Sequence, residues 1–275
     1  MTSFTTPNPI TATLTTAGAQ VRVTATERPD TVVHVEPLNS ANKSDLKVAE
    51  GVKVDFEAGE LSIKTTKSGD KTGSVAITVA LPAGSRLVLN TAWTDVHADG
   101  PLGDCAVSTA SGRIKLDQVA ALRGNLADGG LTVERVTGTV EIDGGAASVH
   151  LGEVDGTVRY QGTTGKIRIG HAHSDVDLGG SNGSFDVERA DGSVTARAAD
   201  CPIRIGRLTR GNADLANASG GIEVGIAEGV TAEVDADSTK GVVHNSLPVR
   251  NPGDTTVKVH ARTRRDDIVI QRAAV

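Results

Sequence analysis

The stretch TVEIDGGAASVHLGEVDGTVRY, Thr139–Tyr160, holds three apolar–polar–apolar triplets: Val140-Glu141-Ile142, Val149-His150-Leu151 and Val158-Arg159-Tyr160. Each begins nine residues after the last. Alternation with a period of two is the mark of a short strand with one buried face. The pattern runs outward in both directions, from Leu87 to Ala232, with nine-residue steps almost throughout. A further small or apolar residue often follows five places after a triplet starts, as at Ala110, Val119, Ala127, Val136, Val154, Ala172, Ala190, Ala199 and Leu208. It is expected to point inward at a corner.

The corners carry their own rhythm. Two places before successive triplets stand Thr94, Gly103, Gly112, Ala120, Gly129, Gly138, Ala147, Gly156, Gly165, Ser174, Gly183, Gly192 and Cys201. One non-glycine is followed by two glycines each time. If two corners of every coil need the backbone freedom of glycine, a coil has three strands and about 27 residues. The spacing therefore predicts an all-β chain, a three-sided parallel β-helix whose coils stack about 4.8 Å apart. It predicts ladders of outward residues, with Lys115, Glu141 and Arg168 on one face and His97, Arg123, His150, Asp177, Arg204 and Glu233 on another.

Composition agrees with strands and a thin core. Aromatic residues make up 2% of the chain and glycine occurs 32 times, so Val, Ile, Leu and Ala must fill the interior. The net charge of −6, with both signs interspersed, argues against a nucleic-acid partner, which needs a basic stripe. No apolar run approaches membrane-span length, and MTSFTTPNPITATLTTAG lacks the features of a signal peptide. A cytoplasmic location is expected. Two cysteines, Cys105 and Cys201, are too few for a disulfide framework.

The nine-residue period fails before about residue 80. QVRVTAT, TVVHVE, VKVDF, ELSIKT and SVAITVALP still alternate as strands, joined by the expected loops PLNSANKSD and TKSGDKTG. An antiparallel N-terminal cap over 1–80, repeats over 81–245 and short capping strands over 246–275 are expected, in one continuous structural unit. The caps would protect edges that otherwise template aggregation.

LPVRNPGDTTVKVHARTRRDDIVIQRA (Leu247–Ala273) and SVAITVALPAGSRLVLNTAWTDVHADG resemble the closing and entry segments of a bacterial β-strand-repeat, adhesin-like family, domain of unknown function DUF family 4097. ASGRIKL and TRRDDIVI stand where members show a Ser-Gly-Asp-Val-like turn. The resemblance implies a β-solenoid and implies no catalytic residues; no cofactor is expected.

Several short patterns bear on chemistry. HAHSD offers His171, His173 and Asp175, with His150 brought near by stacking; His-x-His on an extended segment can chelate Zn²⁺. The plainer reading, a polar corner with no metal, is preferred. GGSNGS (Gly179–Ser184) lacks the Gly and Asp positions of a calcium turn. GTTGK (Gly162–Lys166) lacks P-loop spacing and leads into a strand. Outward acids such as Asp177, Asp186 and Asp214 lie in ladders with basic neighbours, Trp93 stands alone and Tyr160 points inward, so a saccharide-cleaving site is disfavoured. Arg204, Arg207 and Arg210 read as a solvated face. The expected function is a non-catalytic structural or protein-interaction scaffold with an unidentified protein partner or self-association. The alternatives are a bactofilin-like polymer and a saccharide-binding or saccharide-cleaving β-helix.

Overall fold

The computed structural model describes residues 1–65, 73–248 and 255–274. The chain forms two compact units, Met1–Thr137 and Gly138–Val275. Apart from Gly73, the expected TKSGDKTG loop lies outside the described residues.

In the second unit the triplets become parallel strands, as their alternation requires. Val140 registers with Val158, Val158 with Val176, and Val176 with Val194. On the other side Val149 registers with Ile167 and Ile167 with Phe185. The offset is eighteen residues, rising to nineteen where Val194 meets Ala213 and Ile203 meets Ile222. A coil is therefore two strands and about eighteen residues, and the winding is two-sided. The three-sided, 27-residue coil is corrected by this register, and Glu141 stands beside Arg159, not Arg168. Tyr160 and Phe185 come from opposite sheets and meet edge to face, with ring centroids 6.1 Å apart.

The glycine rhythm misled because it records something other than the number of sides. Corner residues eighteen apart stack in a column, and a Cβ on the later residue would often strike the backbone of the earlier one. At Gly156 it would meet Gly138, and at Gly192 it would meet Ser174. The need is for close approach, and neither residue has positive φ. The eighteen-residue period was written elsewhere. Val119, Val136, Val154, Ala172, Ala190 and Leu208 are all fully buried, whereas Ala110, Ala127 and Ala199 are exposed. Only alternate corners turn that fifth residue inward, because the two half-coils differ: Ser148–Val154 ends in a third inward side chain, whereas Val140–Gly144 does not.

Outward residues form ladders at the true offset. Glu141, Arg159 and Asp177 follow one another on one sheet; His150, Arg168, Asp186, Arg204 and Glu223 do so on the other. Signs alternate, as cross-strand neighbours prefer. Arg204 Nη1 lies 2.9 Å from Asp186 and its Nε 3.9 Å from Glu223. Such exposed pairs contribute about 0–1 kcal/mol each, so they fix register more than they add stability.

The last strands do not close the unit. Thr255–Thr263 pairs in parallel with Asn212–Ala216 on one side and Val230–Ser238 on the other. Ile268–Arg272 likewise lies between Ile222–Ile226 and Val243–Asn245. The C-terminal coil is thus inserted one coil in from the end, and the end is made by the earlier segment 230–245. Its strand Val230–Ser238 carries Glu233, Asp235 and Asp237 at alternate exposed positions, a charge pattern that discourages edge-to-edge pairing.

The first unit repeats the device at the other terminus. Thr11–Ala17 lies in parallel between Glu60–Lys64 and Arg86–Ala92. Ala19–Thr26 lies between Val75–Pro82 and Asp95–Thr109. The expected antiparallel start is therefore narrower than residues 1–80. It comprises Thr2–Thr5 on Asp30–Pro37, that strand on Val75–Pro82, and Lys53–Glu57 on Glu60–Lys64. Phe4 and Phe56, from these antiparallel edges, stack at 4.9 Å.

The expected loop PLNSANKSD instead leads into a helix, Lys43–Gly51. Asn42 caps it by accepting from Ser44 N at 2.9 Å, an arrangement that satisfies an orphan donor of the first turn. Asp45, buried, accepts from Asn39 N and Ser74 N. The polar residues 42–45 thus form the cap and first turn of a helix.

Candidate functional site

The corner after the strands Ser148–Val154, Lys166–Ala172, Ser184–Ala190 and Ile203–Leu208 gathers a cluster of titratable side chains. Successive coils bring Glu153-Val154-Asp155, His171-Ala172-His173, Arg189-Ala190-Asp191 and Arg207-Leu208-Thr209 to this place. The middle residue of each triplet is buried and inward. The flanking residues, two apart on extended chain, therefore share the outer side. Register places Glu153 beside His171, His171 beside Arg189, and Arg189 beside Arg207.

The contacts run diagonally across this stack. His173 Nε2 lies 2.7 Å from Glu153 Oε1 and 3.7 Å from Asp155 Oδ1. His171 Nε2 lies 2.8 Å from Asp191 Oδ2, and His173 Nδ1 is 3.8 Å from the same oxygen. The two imidazole rings face each other, centroids 3.8 Å apart and planes tilted 39°. Glu153, His171 and His173 each present one donor atom, all within 4.8 Å of one another.

Asp191 anchors the group. It is 9% exposed and accepts from Arg189 Nε at 3.0 Å and Thr209 Oγ1 at 2.7 Å as well as from His171. Burial alone would raise its pKa, but these hydrogen bonds and the Arg189 charge outweigh burial and hold the carboxyl well below the usual range. Arg210 donates from Nε to the Asp191 carbonyl and reaches the His173 carbonyl at 3.5 Å.

Of the metal candidates named from sequence, His171 and His173 come together here. His150 does not. Register sets it beside Arg168, three residues from Glu153 along the same strand, because coils repeat at eighteen. Asp175 is occupied at the next turn, accepting from Ser193 N at 2.8 Å. The sequence reading missed Glu153, Asp155 and Asp191. An eighteen-residue offset applied to His171 and His173 reaches all three.

The other motifs resolve structurally. Gly179–Asn182 of GGSNGS lies within the strand Val176–Asn182, so no calcium turn forms there. GTTGK joins Val158–Gly162 to Lys166–Ala172, strand to strand. The arginine patch disperses into separate bonds: Arg204 to Asp186, Arg207 to the Ala274 carbonyl, and Arg210 to the Asp191 carbonyl. Cys105 and Cys201 are free and buried; burial pushes their thiols up to about 12 and about 11. Trp93 is 76% exposed at positive φ, and Tyr160 is fully buried.

The sequence model of the family described as Toastrack DUF4097 matches residues 12–270. The chain belongs to the Toastrack family. That match runs from within the inserted first coil into the inserted last one. A comparison with curated proteins finds no match. Among solved structures, the Toastrack chain is similar to a candidate cell adhesion protein from Clostridium sporogenes, at 12% identity over 98% of each chain and a TM-score of 0.25. It is also similar to a candidate adhesin from Parabacteroides distasonis, at 11% identity over 98% of this chain and 95% of that one, TM-score 0.43. A candidate lipid-binding protein from the same organism gives 11% identity, the same coverage and a TM-score of 0.40. At these scores the superpositions carry no argument about what this chain binds. No helix among the described residues is long and apolar enough to cross a membrane.

Proposed function

We propose that this Toastrack chain is a non-catalytic β-solenoid that serves as a structural or protein-interaction scaffold. The observation that supports it best is the pair of charge ladders on the second unit. Side chains of alternating sign are held at strand spacing on a continuously hydrogen-bonded backbone. A surface of that kind presents fixed charge to a partner with little loss of conformational freedom on binding. A cytoplasmic setting fits two free, buried cysteines in separate units.

Size-exclusion chromatography with light scattering, joined to cross-linked capture from the native lysate, tests this reading. A defined oligomer or a reproducible protein partner is expected, and charge reversal at Arg168 and Arg204 should weaken it. A strict monomer that captures nothing would overturn it. Filaments in negative stain would favour end-to-end polymerisation instead, against the acidic edge at 230–238.

A further inference from the structure

We propose that the corner formed by Glu153, His171 and His173 is a binding site for a divalent borderline transition-metal ion, Zn²⁺ foremost. The inference stands apart from the scaffold reading and rests on donor chemistry. Two imidazoles, two residues apart, flank the end of the strand Lys166–Ala172, and one carboxylate comes from the preceding coil. Two nitrogens and one carboxylate oxygen are a zinc ligand set, with the fourth tetrahedral position left to water. Asp155, 3.7 Å from His173 Nε2, stands ready to accept from that water. Ca²⁺ and Mg²⁺ fit poorly, since they require six or more oxygens or a rigid octahedron.

The surroundings supply what a metal-binding histidine needs. His171 donates its Nε2 proton to Asp191, which leaves Nδ1 as the free donor. Asp191 is itself pinned by Arg189 and Thr209. A carboxylate behind a liganding imidazole fixes the tautomer and raises its basicity. At His173 the ion would take the place of the proton that Nε2 shares with Glu153 Oε1; that 2.7 Å contact is too short to hold an ion between them. Tetrahedral bonds of about 2.0 Å place two donors about 3.3 Å apart, so Glu153, at the surface, must draw back by roughly 0.6 Å. The charges also favour a cation: Glu153 and Asp155 are negative, Arg189 offsets Asp191, and Arg210 is engaged by the Asp191 and His173 carbonyls. A bound ion would join the strands Ser148–Val154 and Lys166–Ala172 across a corner.

The test uses the full chain, stripped with a chelator and titrated with Co²⁺. The expected result is one saturable site with the ligand-field absorption of a four-coordinate nitrogen and oxygen set. Zn²⁺ should displace Co²⁺ and raise the melting temperature. His171→Ala and His173→Ala should each abolish the spectrum while circular dichroism stays unchanged. Asp191→Asn should weaken binding about 10–100-fold. His150→Ala and Asp175→Asn should leave binding intact. The absence of a saturable Co²⁺ or Zn²⁺ site would overturn the proposal. So would binding that survives in the folded His171→Ala, His173→Ala double variant, or that falls equally with His150→Ala.

Discussion

Tyr160 shows how much one side chain settles. It is the only tyrosine in the chain, it is fully buried, and it meets Phe185 edge to face across the two sheets. Gly144, Gly162 and Gly165 crowd it, and a Cβ on any of them would approach the ring or its hydroxyl. The hydroxyl has no hydrogen-bond partner among the described residues. An unpaired buried polar group costs stability that an apolar replacement does not. Tyr160→Phe should therefore raise stability by about 1 kcal/mol, read as a higher denaturant midpoint at unchanged m. A loss of stability would show that the hydroxyl is satisfied. Asp191 is the opposite case, a buried carboxylate with its bonds made. Asp191→Asn should cost about 1.5–3 kcal/mol at neutral pH. The sign with pH follows from its lowered pKa. The stabilisation is fully present above the unfolded value, about 3.9, and is lost as pH falls through the depressed folded value. Urea titrations at pH 7 and below pH 3 should show the variant and parent converging in acid.

At the scale of the element, the corner decides what each strand tolerates. Gly183 has φ +123, and a Cβ there would strike the Gly165 carbonyl one coil back. Gly229 also has positive φ, +74, but a Cβ there meets nothing within 4 Å. Gly183→Ala should cost about 3 kcal/mol or more, combining clash with left-handed strain. Gly229→Ala should cost only the strain, about 1–2 kcal/mol. Thermal melts of the pair separate the two causes, and equal losses would refute the close-stacking account of the glycine columns. The triplets, the strands and their inward faces were legible in sequence from alternation alone. The number of strands per coil was not, because a corner glycine serves both left-handed backbone and the close approach of stacked backbones, and neither use counts the sides of a coil. The candidate site suffered from the same error. At an offset of 27, His171 and His173 reach Gly144, Ala146, Ala198 and Asp200; at eighteen, they meet Glu153, Asp155 and Asp191.

At the scale of the whole molecule, both terminal coils are sewn one place inward. Strands 11–26 bind partners near residues 60–82 and 86–99, and strands 255–272 bind 212–226 and 230–245. Solenoid ends ordinarily fray because the last coil has one neighbour. Here each terminal coil has two. Inward residues Val257, Val259, Ala261, Ile268 and Ile270 are at most 1% exposed, as in a central strand. Deleting 255–275 should therefore remove the cooperative unfolding of the second unit or cause aggregation, not trim a dispensable tail. Differential scanning calorimetry checks this; a truncated chain melting within a few degrees of the parent would contradict it.

Local order is written along the chain: which residues form short strands, which face each buries, and where corners must be small. These follow from side-chain alternation and backbone sterics, which act over a few residues. Only the tertiary structure decided which strands are neighbours. The coil length, the insertion of both termini and the meeting of Glu153 with His171 and His173 depend on stacking between residues eighteen to seventy-five apart. No local preference encodes that partner choice; it is set by where backbones can approach closely and by the apolar area they bury together.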